Sequence, residues 1–166
     1  MLPHRTTAGG HALRLALAVL LSLGLVAPVP AQMGKADIRG QAPQAIDSGL
    51  LDFGGKPVYL YGLRGARPDQ SCTMRSGQTW PCGREARWAA RNRIANHWVE
   101  CVERARGPGG EVFALCYLGG VGGPELNAWL VEQGWALAAR DYAQDYAAAE
   151  DAARAAGRGL WRGQQP

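Results

Sequence analysis

Four cysteines, Cys72, Cys82, Cys101 and Cys116, set the tightest limit on what this chain can fold into. An even count in an oxidising compartment predicts two disulfides, and four cysteines leave three connectivities open. Zinc binding is the rival use. No C-x-x-C pair occurs, and His97 is the only histidine outside the N-terminal leader, so the zinc reading is disfavoured. Neighbours in sequence make the best pairs: Cys72 with Cys82, and Cys101 with Cys116. Trp98–Val102 and Val112–Leu118 are rich in β-branched, aromatic and apolar residues, and Arg106-Gly107-Pro108-Gly109-Gly110 between them is turn chemistry. Two antiparallel strands joined in this way set Cys101 beside Cys116. Their bridge would stabilise the fold by roughly 3 kcal/mol on the chain-entropy account.

The oxidising compartment is inferred from the N terminus. Arg5, His11 and Arg14 precede the apolar run Leu15–Val26, and no acidic residue occurs before Asp37. That run is shorter than the roughly 20 residues a spanning helix needs. Val29-Pro30-Ala31 offers the small residues a signal peptidase reads, which predicts cleavage after Ala31; an uncleaved anchor is the alternative. The expected location is the periplasm or the exterior, with no membrane span after cleavage. Removing residues 1–31 from 166 leaves 135, enough for one domain with one core. Of 18 basic and 14 acidic side chains the leader takes Arg5 and Arg14, so the mature balance is +2. A general nucleic-acid binder carries a larger excess.

Along the mature chain, residues 32–45 are polar with Gly and Pro, and read as a flexible lead-in. Ile46–Gly62 holds strand material broken at Gly54-Gly55, a hairpin pattern. Within it Val58 and Leu60 alternate with Tyr59 and Tyr61. Arg64–Gly83 reads as a long loop, and Arg84–Ala95 as a helix with Ala86, Ala89, Ala90 and Ile94 inward and Trp88 and Arg91 outward. Leu126, Leu130 and Val131 mark a second helix ended by Gly134. Tyr142, Tyr146, Ala149 and Ala153 mark a third, ended by Gly157. Gly159-Leu160-Trp161 reads as a plug returning to the core, and residues 164–166 as a tail. Strands, helix, strands, two helices make the class α+β, with a small barrel compatible.

That order carries a set of motifs. Leu126-Asn127-x-x-Leu130-Val131-x-x-Gly134-x-Ala136, then Ala152-Ala153-Arg154 and Gly159-Leu160-Trp161, resemble the helix and closing signatures of the thermonuclease (micrococcal nuclease-like) family. Gln70-x-Cys72 and Trp80-Pro81-Cys82-Gly83 resemble its secreted, cysteine-bearing bacterial branch. The match runs from about Ile46 to Trp161, within a domain placed at 46–163. The resemblance implies an OB-fold, a five-stranded β-barrel with three helices.

It also implies where an active site would sit. The family reads G-D-T on a first hairpin, then R-L-x-G-I-D-A-P-E, then D-x-Y-G-R on a later turn. Its aspartates hold calcium, its glutamate acts on the attacking water, and its arginines stabilise phosphoryl charge. Here Gly49 falls on the first aspartate, Tyr59 on the first arginine, Arg64 on the second aspartate, Arg67 on the glutamate and Glu111 on the last arginine. A guanidinium neither binds a cation nor accepts a proton near neutral pH. The resemblance therefore implies a degenerate site with no catalytic residue, no metal and no cofactor, in a non-catalytic binding module. The alternative is a nuclease or phosphodiesterase with a relocated site at Asp47, Asp52 or Asp69, the last reached by a two-residue slip that sets Pro68-Asp69 on P-E.

The reversed charges suggest that Glu111 pairs with Arg64 or Arg67 across the old cleft, with Arg104 or Arg106 as local rivals. A second charged feature is the set Arg64, Arg67, Arg75, Arg84, Arg87, Arg91 and Arg93, against only Asp69 and Glu85. With Trp80 and Trp88 it matches a stacking, phosphate-contacting surface. The near-neutral mature chain favours instead a solvated helix face with tryptophans in the core, and Trp98, Trp129, Trp135 and Trp161 read as core or core-edge residues. His97 has no role assigned. The chain reads as a monomer, and weak nucleic-acid or protein binding are the partner classes left open.

Overall fold

Alternating apolar residues build the first hairpin. The structure, a computed structural model, describes residues 38–163. The leader, its cleavage point, the first part of the lead-in and the tail lie outside the described residues. In chain order the elements begin with β1 (Ile38–Gln41), β2 (Gln44–Ala45), β3 (Leu50–Asp52), β4 (Pro57–Leu60) and β5 (Leu63–Gly65). There follow β6 (Cys72–Thr73), β7 (Thr79–Trp80), α1 (Cys82–Ile94), β8 (Trp98–Arg106) and β9 (Val112–Leu118). The chain closes with α2 (Leu126–Glu132), β10 (Ala136–Ala138), α3 (Ala147–Ala155) and a 3-10 turn at Gly159–Trp161. Leu51 on β3 lies opposite Val58 on β4, and both are fully buried with Leu60. Gly54 and Gly55 take φ of 67° and 89° at the connecting turn, where the Asp52 carboxylate accepts the Gly55 N–H.

β8 and β9 form the long hairpin, with Cys101 opposite Cys116 and both buried. The two disulfides are Cys72–Cys82 and Cys101–Cys116, the sequence-neighbour pairing. Disulfides of this kind point to an oxidising compartment. β4 pairs parallel to β9, and the hydrogen-bonded order is β1-β8-β9-β4-β3-β2. Two short ladders, β5 with β10 and β6 with β7, complete the strands. The fold is α+β and OB-like, with three helices. Its described strands form a six-stranded mixed sheet rather than a closed ring of five. Gly62 (φ 78°) turns the chain out of β4, so that β5 pairs with β10.

Residues 38–41 and 44–45, read as lead-in, are strand. Ile38 sits opposite Cys101 and packs on the core, and Gln44-Ala45 pairs with β3. One apolar residue in a polar edge strand leaves no alternation to read. The loop at 64–83 likewise contains β5 and the β6–β7 ladder that the first disulfide closes.

α1 begins at Cys82, two residues before its expected start, and buries Ala86, Ala89, Ala90 and Ile94 as its periodicity requires. α2 buries Leu126, Leu130 and Val131. Gly134 follows it at φ 71°, where a Cβ would lie 2.3 Å from the Arg158 carbonyl oxygen, so only glycine fits. The third helix starts at Ala147 rather than Tyr142. Its tyrosines do other work: Tyr142 is half exposed, and the Tyr146 hydroxyl donates to the Glu125 carboxylate, while burial pushes its pKa upward. Leu160 is buried with Trp80, Cys82 and Ala86 in a second small core, as a plug should be. Among the described residues no helix is long and apolar enough to cross a membrane.

Asn127 is fully buried on α2, where an unpaired amide would be costly. Its Oδ1 accepts the Cys116 N–H at 3.0 Å, and its Nδ2 donates to the carbonyls of Tyr61 and Ala114, each at 3.0 Å. One side chain thus fastens α2 to β9 and to the turn after β4. Asn127→Ala should lower the unfolding free energy by about 3 kcal/mol, because it strands buried backbone groups. Asn127→Asp, which keeps the acceptor and loses both donors, should also destabilise. Urea denaturation of both variants checks this, and a loss under about 1 kcal/mol in each would refute it.

Candidate functional site

Two glycines make the cleft possible. A Cβ on Gly49 would lie 2.7 Å from the Gly65 nitrogen, and one on Gly65 would lie 2.3 Å from the Gly49 nitrogen. The loop before β3 therefore crosses β5 at backbone contact, a distance no larger residue permits. Ser48, fully buried, locks the crossing by accepting the Ala66 N–H at 2.9 Å. Beside the crossing opens a cleft of about 350 Å³. Gly49, Tyr59 and Arg64 all line it, so three of the five positions singled out by resemblance do come together.

The walls of the cleft are aromatic. Tyr59 stacks on Phe113, with ring centroids 5.2 Å apart, and Tyr142 also lines the cleft, its ring edge-on to Tyr61 at 5.7 Å. Asp47 is the one carboxylate among the lining residues. Its Oδ1 accepts the Gly49 N–H at 2.5 Å. Burial pushes its pKa above the usual carboxylate range, against the opposing pull of hydrogen bonds from the Gly49 and Leu50 N–H groups. Arg64 is exposed and pairs with Asp141 at 2.6 Å. A pair this open to solvent contributes only about 0.2–1 kcal/mol.

The other two positions stand apart from the cleft lining. Arg67 pairs with Asp69 at 3.5 Å, both highly exposed. Glu111 folds back on its own turn, its Oε2 accepting the Gly109 N–H at 2.9 Å. The expected pairing of Glu111 with Arg64 or Arg67 is therefore wrong, and so are the local rivals. Arg106 pairs with Glu103 at 2.7 Å, and the Arg104 guanidinium lies over the Tyr61 ring. A Gly-Pro-Gly-Gly turn supplies a backbone donor two residues away, which outcompetes a distant guanidinium at no cost in side-chain reach. Of the three carboxylates weighed for a relocated site, Asp52 caps the β3–β4 turn and Asp69 is held by Arg67, so only Asp47 faces the cleft. Among the described residues no three His, Cys, Asp or Glu side chains gather as a metal site.

Two aromatic cleft residues escaped the sequence reading, and so did the partner of Arg64. Phe113 was read only as part of the strand Val112–Leu118, Tyr142 as part of a helix stripe, and Asp141 not at all. Contact across the fold defines them, and no local pattern announces it. The tryptophans also divide: Trp80 is buried, Trp129, Trp135 and Trp161 are partly buried, but Trp98 is 42% and Trp88 66% exposed.

A family model described as staphylococcal nuclease homologue matches residues 62–163. The succinoglycan biosynthesis protein ExoI of Rhizobium meliloti (strain 1021) is 29% identical over 165 residues, covering 98% of this chain and 83% of that protein.

Because the folded-state pKa of Asp47 lies above its unfolded value, folding favours the protonated form. The resulting stabilisation is present below the unfolded pKa and is lost as pH rises through the folded one. Asp47→Asn removes this titration while keeping an acceptor for Gly49. As pH rises through the usual carboxylate range and above it, the wild type should lose stability relative to Asp47→Asn. Urea midpoints of both proteins across that range measure the difference. A gap that stays constant would show no shift, and one that widens toward acid pH in favour of the variant would show a shift of the opposite sign.

Proposed function

The chain belongs to the staphylococcal nuclease homologue family, and from that membership we propose that it is an exported, non-catalytic binding module. The observation that carries this reading is the content of the cleft: a single carboxylate, Asp47, held by the Gly49 N–H, in a lining that also includes Arg64. The fold family implies calcium, a hard cation that takes six or more oxygen ligands. One hydrogen-bonded carboxylate in a cleft that an arginine also lines does not fit that ion, and no hydrolytic step through a metal is derived. Tyr59, at the position of an arginine in the resembled motif, is stacked on Phe113 and offers a π-face in place of a phosphate clamp. Arg64, at the position of a calcium ligand, is tied to Asp141.

The relocated-site reading draws less support, since Asp47, Asp52 and Asp69 have separate partners. Export is supported by the arginine-flanked apolar leader, which is consistent with the two disulfides and with a periplasmic or extracellular location. The relative from Rhizobium meliloti is named for succinoglycan biosynthesis rather than for nucleic-acid cleavage, which suits a non-nucleolytic use of the domain.

Hydrolysis of single- and double-stranded DNA should stay at background with or without calcium, read by zymogram and by release of acid-soluble nucleotide. Titration calorimetry should detect no calcium binding. A calcium-dependent rate abolished by Asp47→Ala, Asp52→Ala or Asp69→Ala would establish a relocated active site and overturn the proposal.

A further inference from the structure

The most unusual surface of the molecule is the outer face of α1. Trp88 is 66% exposed, far more than a large indole normally tolerates without a partner. Arg84 and Arg91 flank it at four residues before and three after, which places all three on one helical face. Both arginines are exposed, and Arg87 is half-buried beside them. Among the described residues no ion pair involves Arg84, Arg87 or Arg91. The nearest acid in sequence, Glu85, is engaged by Arg162 at 3.2 Å. The positive charge of this face is therefore uncompensated, although the mature chain as a whole is nearly neutral.

Trp88 also stands between two crevices. One, of about 580 Å³, runs along the helix from Pro81 to Arg91. The other, of about 720 Å³, lies between the helix and residues 42–45. Its far wall begins at Ala42, the one non-glycine residue with positive φ (43°) among the described residues, pinned there by donation of its N–H to the His97 carbonyl at 2.9 Å. Arg87 closes the base by donating from Nε to the Ala45 carbonyl at 2.9 Å. A strained backbone residue in a crevice wall is the kind of outlier that marks a functional surface.

We propose that the α1 face is a binding site for single-stranded nucleic acid, distinct from the cleft at Asp47 and Arg64. The order along the helix is cation, ring, cation, over about 10 Å of axial rise. A single strand presents the same alternation, one stacking base and one phosphate per nucleotide. The indole takes a base on its exposed face, and the guanidinium forks take flanking phosphates. A polyuronate also carries one carboxylate per ring, but that charge sits on the ring itself rather than between rings, and the ring offers the indole C–H groups where a base offers a π-face. A duplex keeps its bases within the stack and satisfies only the arginines. The site stands whether or not the cleft hydrolyses phosphodiesters.

Fluorescence anisotropy on protein purified from cells expressing the full chain tests this. The probe is a labelled single strand of about twelve nucleotides, with EDTA present and about 50 mM salt. The strand should bind more tightly than a duplex of the same sequence. Trp88→Ala should weaken binding about tenfold, and Trp88→Phe should restore most of it. Arg84→Gln combined with Arg91→Gln should lower the slope of log affinity against log salt by about 1.4. These side chains are exposed, so the thermal midpoint of each variant should match the wild type. Absence of binding at low salt would overturn the proposal. So would an affinity that falls in Tyr59→Ala but not in Trp88→Ala, which would place binding in the cleft. Tighter binding of polygalacturonate than of the strand, lost in Trp88→Ala, would overturn the choice of ligand.

Discussion

The Asn127 amide is the joint on which the remaining contacts depend. β9 is hydrogen-bonded to β8 on one side and β4 on the other, so a helix can attach to it only where a backbone group is left over. The Cys116 N–H and the Tyr61 carbonyl are such groups, and the Ala114 carbonyl, which already accepts the Tyr61 N–H, has a second lone pair; Asn127 bonds to all three from within the core. Leu126, Leu130 and Val131 then bury beside it, and the chain can turn at Gly134 into β10. Apolar packing alone would hold α2 near the sheet without fixing its register. A directional three-bond contact in a low-dielectric interior does fix it. The Tyr61 carbonyl is part of that contact, so the turn leading into β5, and with it Arg64, is set by the same residue.

The Gly49–Gly65 crossing converts that register into a cleft. Its geometry comes from backbone contact and from Ser48, not from the charged side chains around it. The charged residues contribute little to holding the fold. Arg64 and Asp141 form an exposed pair, and Asp47 sits in surroundings that disfavour its charged form. Substitution at the rim is thus energetically cheap, whereas substitution at Gly49, Gly65, Ser48 or Asn127 is not.

Legibility in the sequence followed the same division. The disulfide pairing, the β3–β4 and β8–β9 hairpins and the inward face of α1 were all readable, because each is set by local periodicity or by a turn of fixed chemistry. The strands at 38–45 were not, since a short edge strand with one inward residue carries no period. The third helix was placed five residues early, because Tyr142 and Tyr146 fit its spacing but answer to partners elsewhere: Tyr61 and Glu125. At the cleft, Gly49, Tyr59 and Arg64 could be brought together by motif order. Glu111 could not be placed correctly that way, because motif order carries no information about a backbone N–H two residues away.

Trp88 shows the limit most sharply. Net charge averaged over the mature chain argued for a solvated face with its tryptophans buried, and for Trp80 that was right. At Trp88 the helix periodicity, which set it outward, was right and the average was not, because compensation is a matter of distance. The carboxylates that bring the chain near neutrality are committed elsewhere: Glu85 to Arg162, Glu103 to Arg106, Glu150 and Asp151 to Arg140, Asp141 to Arg64. Each such pairing removes a carboxylate that could have quenched Arg84, Arg87 or Arg91. A nearly neutral protein can therefore carry a strongly cationic face provided its acids are spent locally. The electrostatic field that a ligand meets is the one left over after those pairs are formed.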